Sequence, residues 1–196
     1  MSTTLTPAHT DWRTKVFAST WLSYVAFYFC RKPWSVAKSS IGAEAHLDAT
    51  TLGNIGVCYL IAYAIGQFLA SGMGSLLGPR VNVLLGMALS IGVTIAMGVS
   101  LDPWVLAGLT AVNGLAQATG WSGNVGTMAA WFHHGERGKV MGAWATNFTV
   151  GSLVSVWVLS WVIGWGPEEA PAWRETFFFG AGVVSCQAGH RPPGRE

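Results

Sequence analysis

Charged residues are scarce in this chain: Asp, Glu, Lys and Arg together make up 10% of its 196 residues. Soluble domains usually carry about 25% charged residues, so the composition excludes an ordinary water-soluble globule. The few charges leave uncharged runs at 49–79, 81–101, 103–135 and 140–167. A helix needs about 20 mostly apolar residues to cross the hydrocarbon core of a bilayer, and each run is long enough. The chain is therefore predicted to be a polytopic membrane protein.

Cysteine is also rare, and the residue patterns of several protein classes are missing. Cys30, Cys58 and Cys186 all fall in apolar runs, without the spacing of a metal site or a disulfide framework. The adjacent His133 and His134 have no third ligand nearby, which favours a solvated turn over a metal site. A net charge of +2 without a basic stripe argues against a nucleic-acid partner. Because no catalytic motif is present, we expect no enzyme activity, no metal and no cofactor.

The apolar runs and the helix breakers between them predict an all-α bundle of membrane helices. The predicted spans are Lys15–Arg31, Thr51–Leu77, Val81–Leu101, Trp104–Phe132 and Lys139–Trp165. The segments Gly78-Pro79-Arg80 and Asp102-Pro103 predict tight turns between spans. Residues 33–50 are predicted to form a polar loop.

A sixth span begins near Trp173 but holds only a short apolar segment, Phe177–Ala188, well below the ~20 residues of a full span. After this segment the sequence loses its apolar character abruptly. The chain is therefore expected to comprise an N-terminal cytoplasmic segment (1–14), a six-helix half-domain (15–188) and an atypical tail (189–196) that suggests truncation or a frame-shift.

The positive charges predict the orientation, because cytoplasmic segments carry an excess of Lys and Arg. With the N-terminus inside, seven of the eleven cations lie on the cytoplasmic side and four lie outside. The inside cations are Arg13, Lys15, Arg80, Arg137, Lys139, Arg191 and Arg195. We therefore expect a multi-pass protein of the cell (inner) membrane with a cytoplasmic N-terminus.

Arg31 is the first candidate for binding chemistry. Thr20, Tyr24 and Tyr28 precede it at helical spacing, so the four residues share one face of the first span. A guanidinium at membrane depth is costly unless it is paired or lines a polar cavity, and its planar fork suits phosphate or carboxylate. In the alternative interpretation, Arg31 and Lys32 mark the membrane edge and extend their long side chains to the interface.

Polar side chains also follow one face of three further spans. The polar positions are Tyr59, Tyr63 and Gln67 in the second span, Asn113, Gln117, Gly120, Asn124 and Thr127 in the fourth, and Asn147, Gly151 and Ser155 in the fifth. Amides on one helical face either bond neighbouring helices or line a watery path. Since four helices carry such a face, the pattern predicts a central hydrophilic cavity.

Several of these segments resemble the organophosphate:phosphate antiporters of the major facilitator superfamily. The residues that carry the resemblance are 113–124, 131–132, 136–138, 142–147 and 150–151, together with the turn at 78–80. The segment Tyr28-Phe29-Cys30-Arg31-Lys32 resembles the first-helix signature of that family, an aromatic pair followed shortly by Arg-Lys. The resemblance extends from about residue 13 to residue 180.

The resemblance implies a twelve-helix fold of two six-helix halves around a midplane site, and this chain would supply only the first half, in a lipid bilayer. It also implies exchange of an organic phosphate, such as glycerol 3-phosphate or a sugar phosphate, for inorganic phosphate. The phosphate-binding arginine of the family falls on Arg31. The candidate substrate-binding residues are then Arg31, Lys32, Tyr24, Tyr28, Tyr63, Gln67, Asn113, Gln117, Asn124 and Asn147.

The sequence departs from the family pattern at three places. The Asp-Arg pair between spans two and three falls on Ser75 and Leu76, the His that some members link to substrate falls on Phe148, and the Trp-Pro-Pro of span four is Trp121-Ser122-Gly123. These departures leave the substrate and the gating open. Two other interpretations stay open as well: a transporter-like membrane sensor of sugar phosphates, and a non-functional fragment.

Overall fold

Eight helices make up the part of the chain that the computed structural model describes, residues 7–168 and 170–189. They are α1 (Pro7–Arg31), α2 (Pro33–Glu44), α3 (Ala49–Leu77), α4 (Pro79–Val99), α5 (Pro103–Trp131), α6 (Arg137–Trp144), α7 (Thr146–Ile163) and α8 (Trp173–Gly189). α2 follows α1 directly and α7 follows α6 directly, so the eight helices form six rods. The predicted all-α bundle is confirmed.

Three of the six rods are long and apolar enough to cross a membrane by length and composition alone. These are α3, α4 and the continuous segment Arg137–Ile163, which comprises α6 and α7. The other three rods carry more polar side chains, among them the amides of α5. Their place in the membrane therefore follows from the bundle in which they pack and not from their hydropathy.

The helices pack in two layers. The first layer contains α3, α5, α1 and α7 in that order, and α1 continues into α2. α4 packs behind α5, while α8 packs behind α1, α2 and α7 and also contacts α4. Glycine permits the closest approach in the first layer, since a Cβ at Gly114 of α5 would lie 2.5 Å from the carbonyl oxygen of Tyr59 in α3. We call the side of the first layer that faces away from α4 and α8 the front face.

The two predicted tight turns are present. Gly78 separates α3 from α4 with φ of 80°, a left-handed conformation that glycine tolerates, and Pro79 opens α4. At the start of α5, the Asp102 carboxylate accepts hydrogen bonds from the backbone N–H groups of Trp104 and Val105, both at 2.9 Å. Each turn therefore stops one helix and begins the next, as the residue types require.

The predicted polar loop at 33–50 is wrong for most of its length, because α2 occupies residues 33–44. Ala37 and Ile41, one helical turn apart, are fully buried in a core cluster. The C-terminal end of α2 is fixed by Glu44, whose carboxylate accepts a hydrogen bond from the indole N–H of Trp173 at 2.6 Å. Since only a narrow face of α2 is apolar, its sequence has the polar composition of a loop.

α8 (Trp173–Gly189) begins at Trp173, where the sixth span was predicted to begin, and it is longer than its apolar segment Phe177–Ala188 because Trp173 and Thr176 are already buried. α1 begins at Pro7, so the predicted boundary between 1–14 and 15–188 falls inside a helix. Of the predicted tail, Gly189 ends α8 and residues 190–196 lie outside the described part of the chain.

Candidate anion-binding site

The break between α1 and α2 fixes the backbone beside Arg31. Pro33 has no N–H group, so the carbonyl of Phe29 lacks its helical donor. Gly180 of α8 lies against this carbonyl oxygen so closely that a Cβ would collide with it. The next carbonyl, that of Cys30, accepts a hydrogen bond from Nδ2 of Asn113 at 2.9 Å. Contacts from α5 and α8 therefore hold the end of α1 in place.

Arg31 lies within the bundle and not at the end of a rod, because α2 continues beyond it. Its Nε donates a hydrogen bond to Oε1 of Gln117 at 3.2 Å. The guanidinium carbon lies 4.8 Å, 5.7 Å and 5.0 Å from the ring centroids of Tyr28, Tyr59 and Tyr63. These contacts favour a partly buried cation held inside the bundle over the alternative in which Arg31 extends to the membrane edge.

One donor nitrogen of this guanidinium is left without a partner in the described part of the chain. Nη2 of Arg31 is buried and has no hydrogen-bond partner among the described residues, and the same holds for the Tyr59 hydroxyl. The rings of Tyr59 and Tyr63 stack with centroids 5.8 Å apart, which fixes both beside the guanidinium. A buried donor without a partner costs about 1–3 kcal/mol, and more when it is charged. An oxyanion would satisfy both donors.

Lys32 brings a second positive charge to the same place. Its Nζ lies 5.9 Å from the ring centroid of Tyr28, the ring that also contacts Arg31. Within residues 7–168 and 170–189, the ion pairs are Arg13 with Glu136 and Arg174 with Glu44, so neither Arg31 nor Lys32 has a carboxylate partner. The two neighbouring cations therefore favour binding of an anion.

A chain of hydrogen bonds sets the orientation of the Gln117 amide. Because Nδ2 of Asn113 is bonded to a backbone carbonyl of α1, its Oδ1 accepts from the Ser90 hydroxyl, at 2.7 Å. Ser90 Oγ in turn accepts from Nε2 of Gln117 at 2.9 Å, and the same Nε2 donates to the carbonyl of Phe27 at 3.1 Å. With both N–H groups committed, Gln117 presents its oxygen to Arg31. A flipped amide would place two donors face to face.

The structure brings together more than half of the predicted site residues. Direct contacts join Arg31, Lys32, Tyr28, Tyr63 and Gln117, and Asn113 joins them through Ser90. Ser90 and Tyr59 are additional members of the site. Tyr59 shares the predicted stripe of α3, whereas a single serine on the apolar α4 gives no signal in the sequence.

The other predicted residues lie outside the immediate contacts of Arg31. Tyr24 is 2% exposed and contacts the group through Tyr28, since the two rings meet edge-on with centroids 6.0 Å apart. Gln67, Asn124 and Asn147 make no direct bond with Arg31 in the described part of the chain, and both amide atoms of the fully buried Asn147 lack a partner there. Their role in the site stays a prediction.

The turn between α5 and α6 is an ion-paired structure. The Glu136 carboxylate accepts a hydrogen bond from the backbone N–H of His133 at 2.9 Å and pairs with Arg13 of α1. The His133 N–H, and after it the Arg13 guanidinium, hold the pKa of Glu136 below its usual range. Arg13 also lies over the ring of Phe132, with its guanidinium carbon 4.6 Å from the centroid. The ion pair and the ring contact of Arg13 therefore join α1 to the end of α5.

Comparisons with known proteins show which proteins this chain is similar to. The family profile described as Major Facilitator Superfamily matches residues 16–186. The phosphoglycerate transporter protein of Salmonella typhimurium is 31% identical over 140 residues, which cover 71% of this chain and 30% of that protein. Sugar phosphate exchanger 3 of Mus musculus is 29% identical over 200 residues, which cover 86% of this chain and 40% of that protein. The glycerol-3-phosphate transporter of Haemophilus influenzae is 31% identical over 148 residues, which cover 72% of this chain and 30% of that protein. The chain thus spans 30–40% of the length of these relatives.

Proposed function

Because this integral membrane chain belongs to the major facilitator superfamily, we propose that it forms the N-terminal half of a secondary transporter that exchanges an organic phosphate for inorganic phosphate. The names of the relatives support the substrate class, since they are transporters or exchangers of phosphate esters. The second half of the pathway would be a further six-helix unit, packed on the front face and moving against this one in alternating access. We place the protein in the inner membrane, with its N-terminus in the cytoplasm.

The observation that carries this proposal is that Nη2 of Arg31 has no hydrogen-bond partner among the described residues. A phosphate oxygen would accept a hydrogen bond from Nη2 of Arg31, and a second oxygen would accept from the Tyr59 hydroxyl, since both donors are buried without a partner. Charge-assisted bonds of this kind are stronger than bonds between neutral groups. Lys32 adds a second positive charge beside Tyr28 and so favours a dianion.

The unpartnered Nη2 of Arg31 also gives a reason why the protein would exchange phosphates and not transport one alone. With phosphate bound, the positive charges of Arg31 and Lys32 are offset by the negative charge of the ligand. In the empty protein the charged donor has no partner, and such a charge inside a membrane protein is costly. Reorientation of the empty site is therefore slow, and each crossing requires an organic or inorganic phosphate. Gln67, Asn124 and Asn147 are proposed to line the rest of the pathway.

Flux measurements test the proposal. Liposomes would contain the complete transporter to which this half belongs and would be loaded with labelled inorganic phosphate. We expect rapid efflux when organic phosphate or inorganic phosphate is added outside, and slow efflux without either. Equal efflux in both conditions would contradict exchange. Binding of phosphate without any flux would favour a membrane sensor instead.

A further inference from the structure

The turn between α3 and α4 lies at the same end of the bundle as the turn between α5 and α6. A Cβ at Gly126, in the last two turns of α5, would lie 3.8 Å from Cβ of Pro79. The two turns differ in character. Residues 133–136 carry two exposed histidines and the ion-paired Glu136. Between α3 and α4, by contrast, Gly78 alone separates the two helices, and apolar residues extend to the turn itself.

Exposed apolar side chains surround the turn between α3 and α4. Leu76 is 85% exposed, Leu77 47% and Val81 45%. We call these three residues the apolar collar. Met73 of α3 and Leu85 of α4, one helical turn further from the turn, are exposed as well. Exposed apolar surface of this kind marks contact with a membrane or with another protein.

Arg80 is the only charged residue of the α3–α4 hairpin, since residues 49–79 and 81–101 carry no formal charge. Asp48 and Asp102 lie at the opposite end of the hairpin, because they cap the starts of α3 and α5. The 21 residues of α4 alone span about 30 Å. Arg80 is exposed and has no hydrogen bond or ion pair within the described part of the chain.

The position of Arg80 within α4 does not stabilise that helix. Arg80 is the second residue of α4, which begins at Pro79. The helix dipole places partial positive charge at this end, so a cation there is unfavourable. The charge of Arg80 therefore favours an anionic partner outside the helix bundle.

A phospholipid matches both the apolar collar and Arg80. α3 and α4 are long and apolar enough to cross a membrane, and the collar continues their exposed apolar sides up to the turn. Lipid chains would contact the collar, while a long arginine side chain at the turn reaches the headgroups. Anionic lipids attract cations at the membrane surface, so the lone positive charge favours a lipid that carries net negative charge.

The collar coincides with a departure from the family pattern. The Asp-Arg pair of the resembling family falls on Ser75 and Leu76, so two charges are absent beside this turn. A pair of charged side chains would be costly to place among lipid chains. Serine and leucine remove that cost and permit the turn to enter the membrane.

We propose that the turn between α3 and α4 is immersed in the cytoplasmic leaflet of the bilayer, with the apolar collar among the lipid chains and Arg80 bound to the phosphate of an anionic phospholipid. The leaflet follows from the orientation proposed above, in which the N-terminus is cytoplasmic. The lipid contact itself does not depend on phosphate binding at Arg31, so each can fail without the other.

Fluorescence quenching beside the turn tests this proposal. A bimane label would be attached through Leu76→Cys, or through His134→Cys in the polar turn as the matched control, after Cys30, Cys58 and Cys186 are replaced by alanine. The 196-residue chain would be placed in nanodiscs of equimolar phosphatidylglycerol and phosphatidylcholine, with a nitroxide on one lipid at a time. We expect nitroxide lipids to quench the label of Leu76→Cys and aqueous iodide to spare it, with the reverse for His134→Cys.

The comparison of the two lipids tests the role of Arg80. With the label attached through Leu76→Cys, nitroxide phosphatidylglycerol should quench about fivefold more effectively than nitroxide phosphatidylcholine, the enrichment expected beside one cation at a membrane surface. Arg80→Gln should lower this ratio to about one- to twofold, whereas Arg80→Lys should keep most of it. Lys139→Gln, which removes an exposed cation of α6 at the same end of the bundle, should leave the ratio unchanged.

Three results would overturn the proposal. If iodide quenches the label of Leu76→Cys as strongly as that of His134→Cys, the turn lies in water. If both iodide and nitroxide lipids spare the label of Leu76→Cys, protein covers the collar. If the two nitroxide lipids quench equally, or if the preference for phosphatidylglycerol survives in Arg80→Gln, Arg80 does not bind an anionic lipid.

Discussion

Gln117 accepts a hydrogen bond from Nε of Arg31 at 3.2 Å, while the neighbouring Nη2 of the same guanidinium has no partner among the described residues. Groups on α1 and α4 fix the orientation of the Gln117 amide. Both N–H groups of Gln117 are committed to Ser90 and to the carbonyl of Phe27, which leaves only the oxygen for Arg31. The amide therefore orients the arginine without neutralising it.

A carboxylate in place of the Gln117 amide should abolish this arrangement. Gln117→Glu keeps the shape of the side chain but introduces a negative charge that would pair with Arg31 and compete with phosphate. We expect this variant to bind phosphate at least about tenfold more weakly, as the loss of a charge-assisted bond implies. Gln117→Leu removes the acceptor without adding a charge and should have a smaller effect. Phosphate titrations of both variants check this order, and equal or tighter binding by Gln117→Glu would contradict it.

Ser90 should act through Gln117. Ser90→Ala removes one partner of the Gln117 amide and one of Asn113, so we expect phosphate affinity to fall about two- to tenfold, the effect of one hydrogen bond. Thr94→Val on the same helix is the matched control, because its hydroxyl is fully buried and has no partner in the described structure.

A double-mutant cycle shows whether Ser90→Ala lowers phosphate affinity through the Gln117 amide. In the Gln117→Leu background, Ser90→Ala should produce no further loss of affinity. A full additional loss in that background would show that Ser90 acts independently of Gln117.

The close approach of α3 and α5 should be needed to hold the tyrosines beside Arg31. A Cβ at Gly114 would lie 2.5 Å from the carbonyl oxygen of Tyr59 and 3.0 Å from the backbone nitrogen of Tyr63. We expect Gly114→Ala to cost about 1–3 kcal/mol of stability, as overpacking usually does, and to weaken phosphate binding. Gly108→Ala on the same helix, where a Cβ meets nothing within 4 Å, is the control. Thermal unfolding curves that coincide for the two variants would contradict the requirement.

The ion pair between Arg13 and Glu136 should make stability depend on pH. The pKa of Glu136 is lowered in the folded protein by the His133 N–H and by Arg13. The ionised carboxylate therefore stabilises the fold above the ordinary glutamate pKa of about 4.3, and this contribution is lost as the pH falls through the lowered pKa.

Melting temperatures measure this contribution. Glu136→Gln should melt below the wild type at about pH 7, and the difference should narrow at about pH 3. Glu168→Gln, in the exposed loop between α7 and α8, controls for the general effect of removing a carboxylate. A wild-type advantage of the same size at both pH values would mean that the ion pair contributes nothing.

Helical spacing accounts for the side chains and turns that could be located from the sequence. Arg31, Tyr28, Tyr63 and Gln117 each lie on a polar stripe, and such stripes must face either one another or water when helices pack in a membrane. Gly78 and Asp102 marked the turns, because their backbone and side-chain properties are local. These features depend only on residues close together in the chain.

What the sequence could not predict depends on tertiary contacts. α2 was interpreted as a loop because its buried face is narrow, and its burial comes from α8. Ser90 carries a single hydroxyl on an apolar helix, and only the approach of α5 turns it into a link between two amides. Nη2 of Arg31 has no partner among the described residues because the neighbouring side chains bond other atoms. Residue spacing does not encode which atoms they bond.

Phosphate binding by Arg31→Lys, measured beside Lys32→Arg, tests the central claim most directly. Lysine keeps the charge but lacks the planar fork whose Nε bonds Gln117 and whose Nη2 would bond phosphate. With the chain in lipid nanodiscs, we expect Arg31→Lys to lose about ten- to a hundredfold in phosphate affinity, the effect of one charge-assisted bond, and Lys32→Arg to stay within a few-fold of the wild type. Affinity close to that of the wild type in Arg31→Lys would contradict the assignment of Arg31 as the phosphate-binding residue.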